Sequence, residues 1–128
     1  FMGLLALYAV FLRRCTGQRE VMIGYPVAGR DEPGVEEAIG LFATMLPMRI
    51  ALPDGAAYRD ILRSVKSVAL DALSRQETPF EKLVEIVQPD RDTGRPPLVQ
   101  TMFAMQNFAR PEWRLPGLQA EPLTRGDI

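Results

Sequence analysis

"AAYRDILRSVKSVALDALSRQ", residues 56–76, carries its large apolar side chains on one side of a helix. Tyr58, Ile61, Leu62, Val65, Val68, Ala69, Ala72 and Leu73 recur at i, i+3, i+4 and i+7, while Arg59, Asp60, Arg63, Lys66 and Arg75 fall mostly opposite. Each large apolar side chain withdrawn from water contributes about 1.5–3 kcal/mol before entropy is subtracted. Such a face needs a sheet or another helix to lie on. "PDG" ahead of it reads as a turn, with Asp54 as the cap.

Two stretches supply strands for that layer. "EVMIGYPV", residues 20–27, is β-branched and apolar, and "MLPMRIAL", residues 45–52, reads as a second strand. Pro47 places the second at an edge or an irregularity. The intervening "AGRDEPGVEEA" has the glycines, proline and charges of a loop. Residues 2–15 read as a helix apolar around nearly its whole circumference, as expected inside something larger. Arg13 and Arg14 suit its last turn and Gly17 the position just past its end.

Beyond the long helix, Thr78 reads as an N-cap, with Pro79 at the first helical position and Glu81 completing a capping box. Leu83, Val84 and Val87 give this second helix a short apolar face. "LVQTMFAMQN", residues 98–107, reads as a strand buried on both faces, and "LQAEPL" as a last short one. The order helix, strand, strand, helix, helix, strand, strand predicts an α/β two-layer sandwich: a mixed sheet with helices on one face.

Composition narrows the function. The chain has 128 residues, 47% hydrophobic and 24% charged, with net charge −1 and no basic block. That gives no footprint for nucleic acid and no polybasic membrane anchor. The apolar opening run is too short to span a bilayer, and its uncapped start implies a chain beginning within a longer protein. Cys15 is the single cysteine, so no intrachain disulfide forms. That fits a reducing, cytoplasmic setting, and a free cysteine is expected to be buried.

There is no histidine, which removes the commonest general base near neutral pH and the usual zinc ligand sets. "DRDTG" lacks the glutamate of a calcium loop, since Thr101 stands at the twelfth position. "AGRDEPG" lacks phosphate-loop spacing. No nucleophile has a base beside it. Met45, Met48, Met102 and Met105 read as core filler. No residue earns a catalytic or metal role.

Four stretches in order carry a resemblance: "CTGQREVMIGYPVAGR", "IGLFATMLPMRI", "RQETPFEKLVE" and "DRDTGRPPLVQTMFAMQN". Together they resemble condensation domains of nonribosomal peptide synthetases from about residue 2 to residue 123. Ile39, Gly40, Phe42, Leu46, Pro47 and Arg49 match one family motif. Gln76, Pro79, Phe80 and Glu81 match a second, and Arg91, Asp92, Arg95, Pro97 and Leu98 a third. The departures are Ala43-Thr44-Met45 where the family has Val-Asn-Thr, and Arg75 where it usually has histidine.

The resemblance implies one lobe of a chloramphenicol acetyltransferase-like fold. Residues 1–128 would be a partial domain, the C-terminal lobe, truncated at both ends. Two such lobes enclose a tunnel, where an acceptor amine attacks a donor thioester to form an amide. Both substrates arrive on the phosphopantetheine arms of carrier proteins; no cofactor is expected to bind this chain directly. The family's HHxxxDG motif lies in the N-terminal lobe, so this chain is expected to be inactive alone. Its partners would be that lobe, the peptidyl or aminoacyl carrier proteins and an adjacent adenylation domain. An isolated fragment is expected to expose apolar surface and to form a homodimer. The alternative is a non-catalytic module that docks carriers or neighbouring domains.

By the same resemblance, Arg30, Thr44, Met45, Arg49, Gln106 and Asn107 are candidates for the substrate tunnel or the lobe interface. Arg30 is either an ion-pair partner for the other lobe or an ordinary loop arginine. Arg49 is either a contact for a bound arm, or for a loop, or a strand-end charge in solvent. Gln106 and Asn107 either face the interface or bond local backbone. Phe80 is expected to anchor the joint between the helices, and Thr78, Pro79 and Glu81 to cap it.

Overall fold

A computed structural model describes residues 1–30, 33–35, 38–88, 94–106 and 116–118. The elements run α1 (Met2–Thr16), β1 (Glu20–Val27), β2 (Thr44–Ala51), α2 (Tyr58–Leu73) and α3 (Phe80–Val87). The first four fall within two or three residues of the bounds expected from periodicity.

β1 and β2 pair antiparallel, with Val21 opposite Ile50, Ile23 opposite Met48 and Tyr25 opposite Leu46. Those residues share one face, because side chains alternate along a strand. α1 and α2 cover that face. Leu5, Ala6 and Ala9 of α1 and Ile61, Val65 and Ala69 of α2 pack on Val21, Ile23, Met48, Ile50 and Leu52. The helices lie on one side of the sheet, as the pattern of residues 56–76 requires.

The ladder accommodates two prolines without losing a bond. The Leu52 N–H donates to the Arg19 carbonyl. Bonded pairs in this register therefore alternate from 19 and 52, and the pairs Pro26–Met45 and Gly24–Pro47 fall between them. Pro47 turns its missing N–H toward the side of β2 that has no paired strand among the described residues, in keeping with the edge expected for it.

The strand expected at residues 98–107 is not one. Its described part, to Gln106, makes a single parallel bridge, Gly24 to Met102. The Gly24 N–H donates to the Thr101 carbonyl at 2.9 Å, and the Phe103 N–H donates to the Gly24 carbonyl at 2.9 Å. The next residue of β1 facing that side is Pro26, which has no N–H to offer, so the ladder cannot extend there. The stretch is not buried on both faces either: Val99 is buried, but Met102 and Met105 are exposed. The bridge nonetheless makes the sheet mixed. Residues 119–123 of the last expected strand lie outside the described residues, and Leu118 is exposed.

The helix ends differ from the sequence reading. Gly17 closes α1 in the left-handed conformation, φ 72°, as expected. α2, however, has Ala57 at its N-cap with no side-chain bond, and Asp54 instead pairs with Arg13 and Arg19. α3 begins one residue later than expected, with Pro79 itself at the N-cap. The chain after α2 keeps turning through Gln76 N–H to Leu73 carbonyl and Thr78 N–H to Arg75 carbonyl. Thr78 therefore belongs to the preceding turn and caps nothing. Cys15 is exposed, not buried, because it sits roughly opposite the Leu5–Ala6–Ala9 face. Of the four methionines read as core, only Met48 is fully buried.

Candidate functional site

Between β1 and β2 the chain makes a long excursion that returns at Phe42. Gly29 opens it with φ 63°, and a Cβ there would collide with the Phe42 carbonyl oxygen, so only glycine fits. Arg30 organises the described part of this loop. Its guanidinium donates to the carbonyls of Val35 (2.8 Å), Ala38 (2.7 Å) and Gly40 (3.4 Å), and lies 4.7 Å from the centre of the Phe42 ring. A planar fork with several fixed donors suits this bundle of acceptors. Among the described residues these contacts tie Arg30 to its own loop.

The loop ends in the motif residues Ile39, Gly40 and Phe42. Ile39 is 104% exposed and Leu41 93%, so two large apolar side chains project into solvent while Phe42 turns inward beneath Arg30. Two apolar tips thus stand above backbone carbonyls held by Arg30.

A cleft of about 500 Å³ separates this loop from the joint between α2 and α3. Gly29, Val35 and Phe42 line one wall, Gln76, Glu77 and Pro79 the other, with Thr44 at the start of β2. The structure thus brings Thr44 together with parts of two motif stretches. Met45 points to the other face of the sheet, against Gly24, and does not share the cleft.

Arg49 lies on that second face as well. It pairs with Glu20 at 2.8 Å across the strands. By accepting that hydrogen bond and by its charge, Glu20 raises the Arg49 guanidinium above its ordinary pKa. Both residues border a second cleft of about 370 Å³, also lined by Leu12, Met22, Leu98 and Gln100. Gln106 is exposed and Arg95 is exposed, whereas Asn107, Arg91 and Asp92 lie outside the described residues. Among the described residues no cluster of acids and cysteine could hold a metal ion, and no helix is long and apolar enough to cross a membrane.

Two residues of consequence went unnoticed in the sequence. Gly24, at the only point where three chain segments meet in the described sheet, signalled itself as an isolated glycine inside a strand. Glu20, the partner of Arg49, carried no signal, because a cross-strand pair appears only once the register is known.

Comparison with known proteins places this geometry. The model of the condensation-domain family matches residues 2–121. Malpinin synthetase of Mortierella alpina is 41% identical over 122 residues, which are 95% of this chain and 2% of that protein. Surfactin synthase subunit 1 of Bacillus subtilis (strain 168) is 39% identical over 122 residues, 95% of this chain and 3% of that protein. The chain thus spans a few hundredths of the length of these relatives. Among solved structures, a four-domain nonribosomal peptide synthetase bound to AMP and glycine aligns with TM-score 0.78 and 26% identity, over 84% of this chain and 8% of that one. The first condensation domain of the calcium-dependent antibiotic synthetase, with a substrate analogue, aligns with TM-score 0.70 and 22% identity over 86% of this chain and 24% of that one, a likeness of fold.

Proposed function

The chain belongs to the condensation-domain family, and from that premise we propose that it is the C-terminal lobe of an amide-forming domain in a nonribosomal peptide synthetase. The observation that carries the reading is the family match over residues 2–121, with the four motif stretches in order along it. The lobe supplies one wall of a cleft whose other wall and proton acceptor come from the rest of the domain.

The chemistry is the attack of an acceptor amine nitrogen on the carbonyl carbon of a donor thioester. A C–N bond forms, the C–S bond breaks, the amine gives up a proton, and the thiolate of the donor's phosphopantetheine arm leaves and is protonated. A base must take the amine proton, and this chain has no histidine to do so. We therefore assign it binding and positioning: residues 1–128 alone do not catalyse. The Arg30-held loop sets the tips of Ile39 and Leu41 toward the remainder of the domain, and Thr44 lines the cleft beneath. The carriers and an adenylation domain are the partners this reading requires.

The test is reconstitution. The whole condensation domain, offered two aminoacyl-loaded carrier proteins, is expected to yield a dipeptidyl thioester by mass spectrometry, and residues 1–128 alone to yield none. Saturable carrier binding by the whole domain without product would overturn the enzymatic reading in favour of a docking module. Product from the short chain would overturn the assignment of a purely supporting role.

A further inference from the structure

One surface of α1 is not accounted for by the core or by the loop. Leu4, Leu7 and Phe11 are 52%, 53% and 58% exposed. With Arg14 they recur at i, i+3, i+7 and i+10, which is the spacing of a coiled-coil seam. At 100° per residue this stripe lies almost diametrically opposite Leu5, Ala6 and Ala9, which are fully buried. Phe11 is further set by stacking on Tyr8, ring centres 6.4 Å apart.

We propose that this stripe is the seat of an amphipathic helix contributed by the part of the same condensation domain that lies outside residues 1–128. The proposal rests on the chain being a fragment of that domain. Three observations select this occupant. The chain spans 24% of the solved condensation domain it aligns with, so most of such a domain remains to be packed. The heptad spacing fits a helix lying at a shallow crossing angle, about 20°, along the axis. Arg14 has no partner among the described residues, whereas its neighbour Arg13 is spent on the Leu52 and Pro53 carbonyls and on Asp54.

Arg14 also argues against a second copy of this chain. α1 contains no acidic residue. A parallel self-pair would set Arg14 against Arg14, and an antiparallel one would set it against Leu4. The seated helix therefore carries apolar residues every three to four positions and an Asp or Glu opposite Arg14.

The test uses the whole condensation domain. The thiol introduced by Leu7→Cys is expected to react with a maleimide at least about tenfold more slowly than the exposed Cys15, read peptide by peptide, at every protein concentration. A photo-crosslinking p-benzoylphenylalanine in place of Leu7 is expected to join a peptide outside residues 1–128 of the same polypeptide. Equal labelling rates, protection that grows with protein concentration, or a crosslink within residues 1–128 or to a second molecule would each overturn the proposal. Amide formation by the unaltered domain is scored separately, so a domain that fails to condense sinks the functional reading and leaves this one to its own data.

Discussion

Gly24→Ala tests the packing at the centre of the sheet. Gly24 bonds the 101–103 segment through both its N–H and its carbonyl. A Cβ added there would lie 2.7 Å from Met45 Sδ and 2.7 Å from Val99 Cγ1. Carbon atoms in contact prefer about 3.5–4.0 Å, so the Val99 contact falls short by about 1 Å. Met45 can swing away on its flexible stem. Val99 cannot: it is β-branched and stiff at χ1, and only 5% exposed. The backbone of its segment must move, and with it the two bonds to Gly24. Overpacking of this kind costs about 1–3 kcal/mol, against which the loss of glycine's freedom in the unfolded chain returns about 0.4–1 kcal/mol. The expected outcome is a net destabilisation of about 1–2 kcal/mol in urea unfolding of the condensation domain. Adding Val99→Ala should recover part of it, with a favourable coupling of at least about 0.5 kcal/mol in the double-mutant cycle. A Gly24→Ala protein as stable as the parent, or strictly additive with Val99→Ala, would refute the reasoning.

Gly29→Ala puts a Cβ into the Phe42 carbonyl at a positive φ; the left-handed conformation alone costs about 1–2 kcal/mol. Hydrogen exchange across the described amides of residues 29–42 should accelerate while α2 is unchanged, and unaltered loop exchange would count against the close approach. Thr78→Ala should change stability by less than about 0.5 kcal/mol, because Thr78 makes no cap bond to α3. A loss of about 1 kcal/mol or more would reinstate it as a capping residue.

What the sequence made legible was whatever depends on local periodicity. α2 announced its apolar face at 3.6-residue spacing, and β1 and β2 their β-branched runs. Readings that needed a second segment fared less well. Residues 98–107 look like a buried strand taken alone, but pairing needs N–H donors on the facing strand, and Pro26 withholds one. Thr78-Pro79 has the letters of a capping box, yet the turns continuing out of α2 had already claimed Thr78. Arg30 closes one of the matching stretches, but the acceptors it finds among the described residues include backbone carbonyls, which have no signature in a sequence. The family resemblance reached further than periodicity, because four ordered motifs constrain a whole chain at once.

The two prolines of the sheet have a bearing on how the chain finds its fold. A slip of one residue between β1 and β2 would rotate one strand about its axis, bringing Pro47 or Pro26 to a position where a bond must be donated, and turning Arg49 or Glu20 toward the helices. Each wrong alignment thus forfeits a hydrogen bond and drives a charge into oil at the same stroke. The imino acids act as keys cut for a single notch, and only the alignment they admit presents the face on which α2 packs.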